Sequence, residues 1–183
     1  MPGIDESRAF IPLKIAVLTV SDTRSLEEDK SGATLAERIG KAGHAVAARA
    51  IVTDDVEKIR AQVKAWIADE GVDVIISTGG TGFTGRDVTP EALEPLFEKR
   101  MDGFATMFLL VSHAKIGTSA IQTRATAGVA GATYIFCVPG SPGACRDAWD
   151  GIIKPQLDYR HMPCNFVEIM PRLDEHLKRG VKT

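Results

Sequence analysis

The amino-acid sequence predicts an α/β protein with a mainly parallel central sheet covered by helices on both faces. Runs of β-branched and aliphatic residues, such as KIAVLTVS at 14–21, are typical of strands that are buried on both faces. These runs alternate with amphipathic helical patterns through short connections, which favours right-handed crossovers. The chain has 183 residues, 44% of them hydrophobic, which is enough for one domain with its own core.

The first half of the chain supplies three strands and two helices. Leu35 and Ile39 lie four residues apart behind a possible Ser31 cap, and Gly43 ends that helix. Asp54 or Asp55 can cap the second helix. The predicted order is a strand over 14–21, a helix over 31–43, a strand over 44–52, a helix over 56–69 and a strand over 72–77.

The second half continues the alternation. Pro90 stands at a natural first position for a helix over 91–100, and the apolar stretch 104–111 predicts a buried or subunit-facing helix. A strand over 133–138 and a helix over 144–157 follow. Because no linker or repeat interrupts the chain, we expect one domain over 13–170. An N-terminal extension at 1–12 and a C-terminal tail at 171–183 flank it.

Charge and cysteine content argue against several classes of protein. Lys and Arg total 22 against 24 Asp and Glu, so there is no basic excess for a nucleic acid or a membrane surface. Cys137, Cys145 and Cys164 form no CxxC pair and indicate reduced thiols in a cytoplasmic protein, with Cys137 a small core residue. No signal peptide is recognisable, and the apolar stretch 127–138 is shorter than the roughly 20 residues of a bilayer span.

Polar and glycine-rich loops follow three of the predicted strands. In a parallel sheet these loops open onto one edge, where ligands bind. Glycines expose backbone N–H groups and tolerate positive φ, so a glycine-rich loop can wrap an anion. The three loops are Ser21-Asp22, Thr78-Gly79-Gly80-Thr81-Gly82 and Pro139-Gly140-Ser141.

Two familiar nucleotide motifs do not fit the glycine-rich loop. The stretch 80–85 formally satisfies GxGxxG, but Pro90 delays the helix and no ribose-binding acid follows about 20 residues later. A dinucleotide oxidoreductase is therefore disfavoured. The P-loop pattern fails because Arg86 and Asp87 stand where Lys and then Ser or Thr are required.

Two acidic residues near the loops allow two interpretations. Asp87 precedes a helix and Asp54 follows the second strand, so each can be a helix cap. A carboxylate beside an anion-binding loop can also hold a metal ion between itself and the anion. Mg²⁺ is usually held by one or two carboxylates together with substrate phosphates, which indicates a nucleoside triphosphate.

Several groups of residues occur in a specific order along the chain. They are the three loops above, Arg86-Asp87-Val88-Thr89-Pro90-Glu91-Ala92, Gly103-Phe104, Ile116-Gly117-Thr118-Ser119 and Thr123-Arg124-Ala125. In this set the chain resembles the MoaB/MogA family of molybdenum cofactor biosynthesis proteins from about residue 11 to residue 166. It is most similar to the MoaB members.

The resemblance implies a three-layer α/β/α sandwich, usually trimeric and in MoaB members often hexameric, that binds molybdopterin at the strand ends. It also implies a molybdopterin adenylyltransferase that moves AMP from Mg·ATP to the terminal phosphate of molybdopterin and releases pyrophosphate. Asp54 and Asp87 match the acidic positions associated with Mg²⁺ and catalysis. The implied substrate-binding residues are Ser21, Asp22, Thr78, Gly79, Gly80, Thr81, Gly82, Thr89, Pro139, Gly140 and Ser141.

The chain departs from the family pattern at two places. Gly143 stands where many relatives carry Lys, and Ala105-Thr106 replaces the usual Gly-Glu. The segment 86–90, which some MoaB members have lost, is retained and favours an active transferase. The alternative is a non-catalytic molybdopterin-binding or assembly protein of the same pathway.

Overall fold

The computed structural model describes residues 3–178 and confirms the α/β fold, with helices on both faces of a six-stranded sheet. The outermost parts of the predicted extension and tail, 1–2 and 179–183, lie outside the described residues. The strands are β1 Gly3–Ile4, β2 Lys14–Val20, β3 Ala45–Val52, β4 Val74–Thr78, β5 Lys99–Arg100, β6 Thr126–Ala130, β7 Thr133–Val138 and β8 His161–Met162.

The sheet has the order β3-β2-β4-β7-β6-β5. The strands β3, β2, β4 and β7 are parallel, as predicted, whereas β6 runs antiparallel to β7 and β5 antiparallel to β6. Sequence analysis missed β5 and β6. Gly131, at φ +59°, turns the apolar stretch back on itself between β6 and β7. Separately, β1 pairs with β8 and holds the N-terminal extension against the domain.

Short turns interrupt several helices. The helices are α1 Lys30–Lys41, α2 Val56–Ile67, α3 Thr89–Leu93, α4 Asp102–Ile116, α5 Pro142–Ala148, α6 Lys154–Gln156, α7 Phe166–Ile169 and α8 Glu175–Lys178. The 3₁₀ turns are Glu94–Leu96, Gly117–Gln122 and Met170–Arg172. A π turn, Trp149–Ile153, joins α5 to α6.

The predicted helix over 91–100 is wrong in its second half, because α3 ends at Leu93. Pro95 has no N–H to donate to the carbonyl of Glu91 and so cannot extend the helix. The guanidinium of Arg60 replaces that donor, with Nη2 2.9 Å from the Glu91 carbonyl and Nε 3.1 Å from that of Ala92. The chain then turns into β5.

Two other helix starts differ from the prediction. Asp29, and not Ser31, caps α1, since its carboxylate accepts the N–H of Gly32 at 2.8 Å. The predicted helix over 144–157 begins earlier, at Pro142, because the hydroxyl of Ser141 accepts the N–H of Ala144 at 3.1 Å. A Ser cap followed by Pro is a common helix start.

The core lies on both faces of the sheet, because alternate residues of each strand point to opposite sides. On one face Ile15, Val17 and Ile76 pack against α1 and the π turn, with Trp149 buried among them. On the other face Leu18 and Ile75 join α2 and α3. Cys137 is fully buried in this second cluster, which confirms that it is a core residue.

The helix α4 is buried on one side and apolar on the other, as predicted. Phe104, Phe108 and Ser112 pack inward. Within 3–178, the stretch Asp102–Gln122 is the one helical segment long and apolar enough to cross a membrane by length and composition, and few of its residues are buried. We call its exposed apolar side chains the α4 outer face: Met107, Leu109, Leu110, Ile116 and Ile121.

Candidate active site

A cavity of about 420 Å³ opens at the edge of the sheet where the parallel strands β2, β3, β4 and β7 end. The three predicted loops meet there because the carboxyl ends of parallel strands share one edge. The cavity is lined by Val20, Ser21, Asp22, Thr23, Arg24, Asp54, Gly79, Gly80, Thr81, Gly82, Thr84, Arg86, Asp87, Gln122, Thr123, Pro139, Gly140 and Ser141.

Close packing of backbones at the base of the cavity requires glycine. Gly79 has φ +103°, and a Cβ there would stand 2.3 Å from the carbonyl oxygen of Val20. Gly80 has φ +62°, and its Cβ would stand 2.4 Å from the hydroxyl of Thr89. A Cβ on Gly140 would lie 3.1 Å from the Cα of Gly79. Besides any role in anion binding, these glycines let the glycine loop pack against three other chain segments, at Val20, Thr89 and Gly140.

Two of the predicted substrate-binding residues lie behind the cavity and not on its surface. The buried hydroxyl of Thr78 donates to the carbonyl of Pro139 at 2.9 Å. The hydroxyl of Thr89 donates to the carbonyl of Gly79 at 2.9 Å, and its N–H to that of Gly80 at 3.0 Å. Both threonines therefore fix the loop backbone, and their contact with substrate stays a prediction.

Asp54 is not a helix cap. Asp55 caps α2, with its carboxylate 2.9 Å from the N–H of Lys58. The carboxylate of Asp54 instead lies against the glycine loop, 3.0 Å from where a Cβ of Gly80 would be. Burial, followed by the negative charges of Asp22 and Asp87, raises the pKa of Asp54. The site thus concentrates negative charge around one carboxyl group.

Asp87 is not a helix cap either, since α3 has no side-chain cap. Its carboxylate accepts the hydroxyl of Thr84 at 2.6 Å and the Thr84 N–H at 2.9 Å. These hydrogen bonds, led by the hydroxyl, lower the pKa of Asp87. One carboxylate oxygen lies 2.8 Å from where a Cβ of Gly82 would be. Asp87 is therefore a fixed carboxylate beside Gly82, whereas Asp54 lies beside Gly80.

The acidic residues do not form a closed metal cage. Across 3–178, no group of three or more His, Cys, Asp or Glu side chains is arranged to hold a metal ion. Two carboxylates facing one cavity are nevertheless the donor set by which Mg²⁺ is held together with substrate phosphates. The arrangement fits Mg²⁺ that arrives with a nucleotide.

Sequence analysis missed two arginines that line the cavity. Arg24 donates from Nη1 to the hydroxyl of Ser31 at 3.1 Å and to the carbonyl of Gly140 at 3.2 Å, which joins two of the loops. Arg86 is 76% exposed and lies 3.6 Å from Asp22. Both arginines stand within three residues of predicted site residues and could have been chosen as phosphate ligands. Sequence analysis also missed four polar residues of the cavity lining, which are Thr23, Thr84, Gln122 and Thr123.

The two departures from the family pattern lie away from the cavity. Gly143 belongs to the first turn of α5, and a Cβ there would lie 3.8 Å from the guanidinium of Arg146. Ala105 and Thr106 line a separate groove beside α4, with Arg124 on its far side. Neither position adds a charge to the cavity.

Comparison with known proteins agrees with this fold. The family model described as "Probable molybdopterin binding domain" matches residues 16–159. Molybdenum cofactor biosynthesis protein B of Escherichia coli K12 is 53% identical over 160 residues, which cover 87% of this chain and 94% of the relative. This chain belongs to the MoaB family of molybdenum cofactor biosynthesis proteins.

Solved structures of the MoaB family share the fold. A crystal structure of molybdenum cofactor biosynthesis protein B has a TM-score of 0.83 and 40% identity, covering 92% of this chain and 99% of its own. The molybdopterin biosynthesis enzyme MoaB of Thermus thermophilus has a TM-score of 0.72 and 28% identity. The match covers 89% of this chain and 97% of the chain in that structure. The resemblance predicted from the sequence is confirmed, and molybdenum cofactor biosynthesis is the process in which this MoaB member takes part.

Proposed function

We propose that this protein is a molybdopterin adenylyltransferase, which transfers AMP from Mg·ATP to the terminal phosphate of molybdopterin and releases pyrophosphate. The observation that carries the proposal is the position of Asp54 and Asp87, which come from two different loops and lie against the same glycine loop. Neither carboxylate is used as a helix cap. Two carboxylates that line one cavity of about 420 Å³ support a reaction in which Mg²⁺ and phosphates bind together.

The chemistry needs little covalent work from the protein. An oxygen of the molybdopterin phosphate attacks the α-phosphorus of ATP, a new P–O bond forms, and the bond to the bridging oxygen of pyrophosphate breaks. Bound Mg²⁺ would neutralise charge on the phosphates. The residues of this chain orient the two phosphates and compensate their charge. We assign phosphate contacts to the loop 79–82 and to Arg24, and the Mg²⁺ of Mg·ATP to Asp54 and Asp87.

We also propose that the chain assembles through the α4 outer face into a homotrimer or homohexamer and works in the cytoplasm. Five large apolar side chains of this helical segment are 43–68% exposed, and exposed apolar side chains gathered on one segment support an interface with another copy of the chain. The inner side of α4, with Phe104 and Phe108, packs into the core of the domain, so we assign its outer face to a subunit interface and not to a bilayer. The unpaired cysteines support a reducing compartment.

The direct test is incubation of the purified protein with molybdopterin, Mg²⁺ and α-labelled ATP. We expect labelled adenylyl-molybdopterin and an equal amount of pyrophosphate, both abolished by EDTA. Labelled product without pyrophosphate would contradict the reaction as written. Product that persists in EDTA would contradict the role of Mg²⁺.

Asp87→Asn tests the assigned carboxylate. We expect turnover to fall about 10²-fold or more, because the neutral amide binds Mg²⁺ more weakly than the carboxylate does, whereas molybdopterin binding stays close to wild type. Asp69→Asn is the matched control, since Asp69 also accepts a loop N–H, that of Gly71 at 2.7 Å, far from the cavity. Equal turnover in Asp87→Asn and wild type would remove Asp87 from the mechanism.

A non-catalytic molybdopterin-binding or assembly protein is the second candidate. The hydrogen bonds from Thr84 favour it, because they explain the Asp87 carboxylate as a loop-forming group without any metal. Molybdopterin binding with no product, and with no effect of Mg²⁺ on binding, would establish this alternative.

A further inference from the structure

Arg124 lies outside the cavity and contacts the loop that carries Asp87. It follows the 3₁₀ turn Gly117–Gln122 and precedes β6. Its Nε donates to the carbonyl of Gly82 at 2.9 Å, and its Nη2 donates to the carbonyl of Asp87 at 2.8 Å. Its Nη1 pairs with the carboxylate of Glu91. The guanidinium thereby joins the first residue of the loop 82–87 to its last.

Further contacts of the same segment hold the loop from the same side. The N–H of Arg124 donates to the carbonyl of Thr81 at 2.9 Å. The hydroxyls of Thr81 and Thr123 lie 3.1 Å apart. The guanidinium also stacks on Phe83, 5.6 Å from the ring centroid. Because the guanidinium is planar and rigid, its donors set the separation of the two carbonyls, which a lysine could not do.

The loop has few other restraints. Phe83 is 70% exposed and Arg86 is 76% exposed. Inside the loop, Asp87 is bonded to Thr84, which belongs to the loop itself and moves with it. The position of the Asp87 carboxylate relative to the cavity therefore depends on what holds the loop ends. Among the described residues, the guanidinium of Arg124 is the side chain that spans those ends.

We propose that Arg124 is a positioning residue that fixes the loop 82–87, and through it the carboxylate of Asp87, in the geometry for reaction. Arg124 does not line the cavity and does not touch substrate. The kinetic part of this inference rests on the proposed adenylyl transfer, whereas the loop-ordering part does not.

Arg60 provides a matched control. Like Arg124 it donates to two backbone carbonyls and pairs with one carboxylate, that of Glu57. The two side chains are also equally covered, at 28% and 27% exposure. Arg60 closes the end of α3 and does not contact the loop 82–87. A general loss of stability on arginine substitution would thus affect Arg124→Lys and Arg60→Lys alike. A positioning effect would appear in Arg124→Lys alone.

The first experiment is hydrogen exchange of the loop amides in wild type, Arg124→Lys and Arg60→Lys, which needs no substrate. The N–H groups of Thr84 and Asp87 are hydrogen-bonded within the loop, at 2.9 Å and 3.1 Å. We expect them to exchange at least about 10-fold faster in Arg124→Lys and at the wild-type rate in Arg60→Lys. Unchanged exchange in Arg124→Lys, or equal acceleration in both variants, would overturn the proposal.

The second experiment measures kinetics. In Arg124→Lys we expect kcat to fall roughly 10- to 100-fold and the KM for Mg·ATP to rise, with the KM for molybdopterin unchanged. Arg60→Lys should keep all three near wild type. Where Arg124→Lys does not fold, Glu91→Gln replaces it, with a smaller effect in the same direction. A wild type that makes no product refutes the proposed reaction, and the exchange experiment still decides the role of Arg124.

Discussion

Gly79→Ala tests whether the base of the cavity is built on backbone contact. The added Cβ would stand 2.3 Å from the carbonyl oxygen of Val20, which belongs to β2 and cannot rotate away. The φ of +103° would cost a further 1 to 3 kcal/mol, roughly, in a residue with a side chain. Displacing the Gly79 backbone to relieve this clash also strains the bond from the Gly79 N–H to the carbonyl of Val138 in β7, now 3.1 Å.

Together these terms predict a loss of about 3 kcal/mol in the free energy of unfolding, the lost hydrogen bond contributing about 1 kcal/mol. For a chain of this size that lowers Tm by roughly 6 to 12 °C. The assay is equilibrium unfolding in urea, followed by the fluorescence of the buried Trp66 and Trp149.

Gly85→Ala is the matched control in the same loop region. A Cβ on Gly85 meets no atom within 4 Å, and its φ is not in the left-handed region. We expect its free energy of unfolding to stay within about 0.5 kcal/mol of wild type. If Gly79→Ala were as stable as Gly85→Ala, the reasoning about backbone contact would be wrong.

Three further predictions concern the rest of the molecule. Burial lowers the pKa of His44 below its usual value, so protonation of His44 opposes folding. The free energy of unfolding measured in urea should therefore fall as the pH drops below about 6.5. The fall should be smaller in His44→Gln. Burial raises the pKa of Cys137 to about 12 and of Cys145 to about 11, so in the native protein only the exposed Cys164 should react with a thiol reagent. Leu110→Lys should reduce the oligomeric state in sedimentation velocity, because Leu110 is 60% exposed on the α4 outer face.

Each of these predictions has a distinguishing outcome. If the free energy of unfolding depended on pH equally in His44→Gln and wild type, groups other than His44 would be responsible. Three reactive thiols in the folded protein would contradict the burial of Cys137 and Cys145. Leu177→Lys, on α8 and 54% exposed, is the control for Leu110→Lys. Equal dissociation in both would contradict an interface on α4.

The parallel half of the fold is predictable because its signals are local. The strand β2 is a continuous aliphatic run, and the helices α1 and α2 carry regular apolar spacing. The antiparallel edge of the sheet is not predictable in this way. The strand β5 has only two residues, and β6 is part of one long apolar stretch of the sequence. The early end of α3 could have been predicted from Pro95, whereas the donor that Arg60 supplies to the Glu91 carbonyl comes from a distant part of the sequence.

The cavity follows the same division. Its three loops were predictable, because strand order alone brings their ends together. The sequence did not show which of Asp54 and Asp55 caps α2 and which faces the cavity. That choice depends on the backbone geometry at Asp55. Thr123 and Arg124 could not be assigned a position, since they reach the site only through the path of the chain after α4. Sequence distance conceals contacts of this kind.

The contacts of Gly79 and Gly140 also decide where the cavity can change over evolution or in the laboratory. A side chain at either position would push one strand end against another, so substitutions at the base disturb the whole sheet edge. Residues such as Phe83 and Arg86 project into solvent and can be replaced without such cost. Mutant libraries that seek altered ligand preference should therefore vary 83 and 86 and leave 79–80, 84 and 140 unchanged, because Thr84 holds the Asp87 carboxylate.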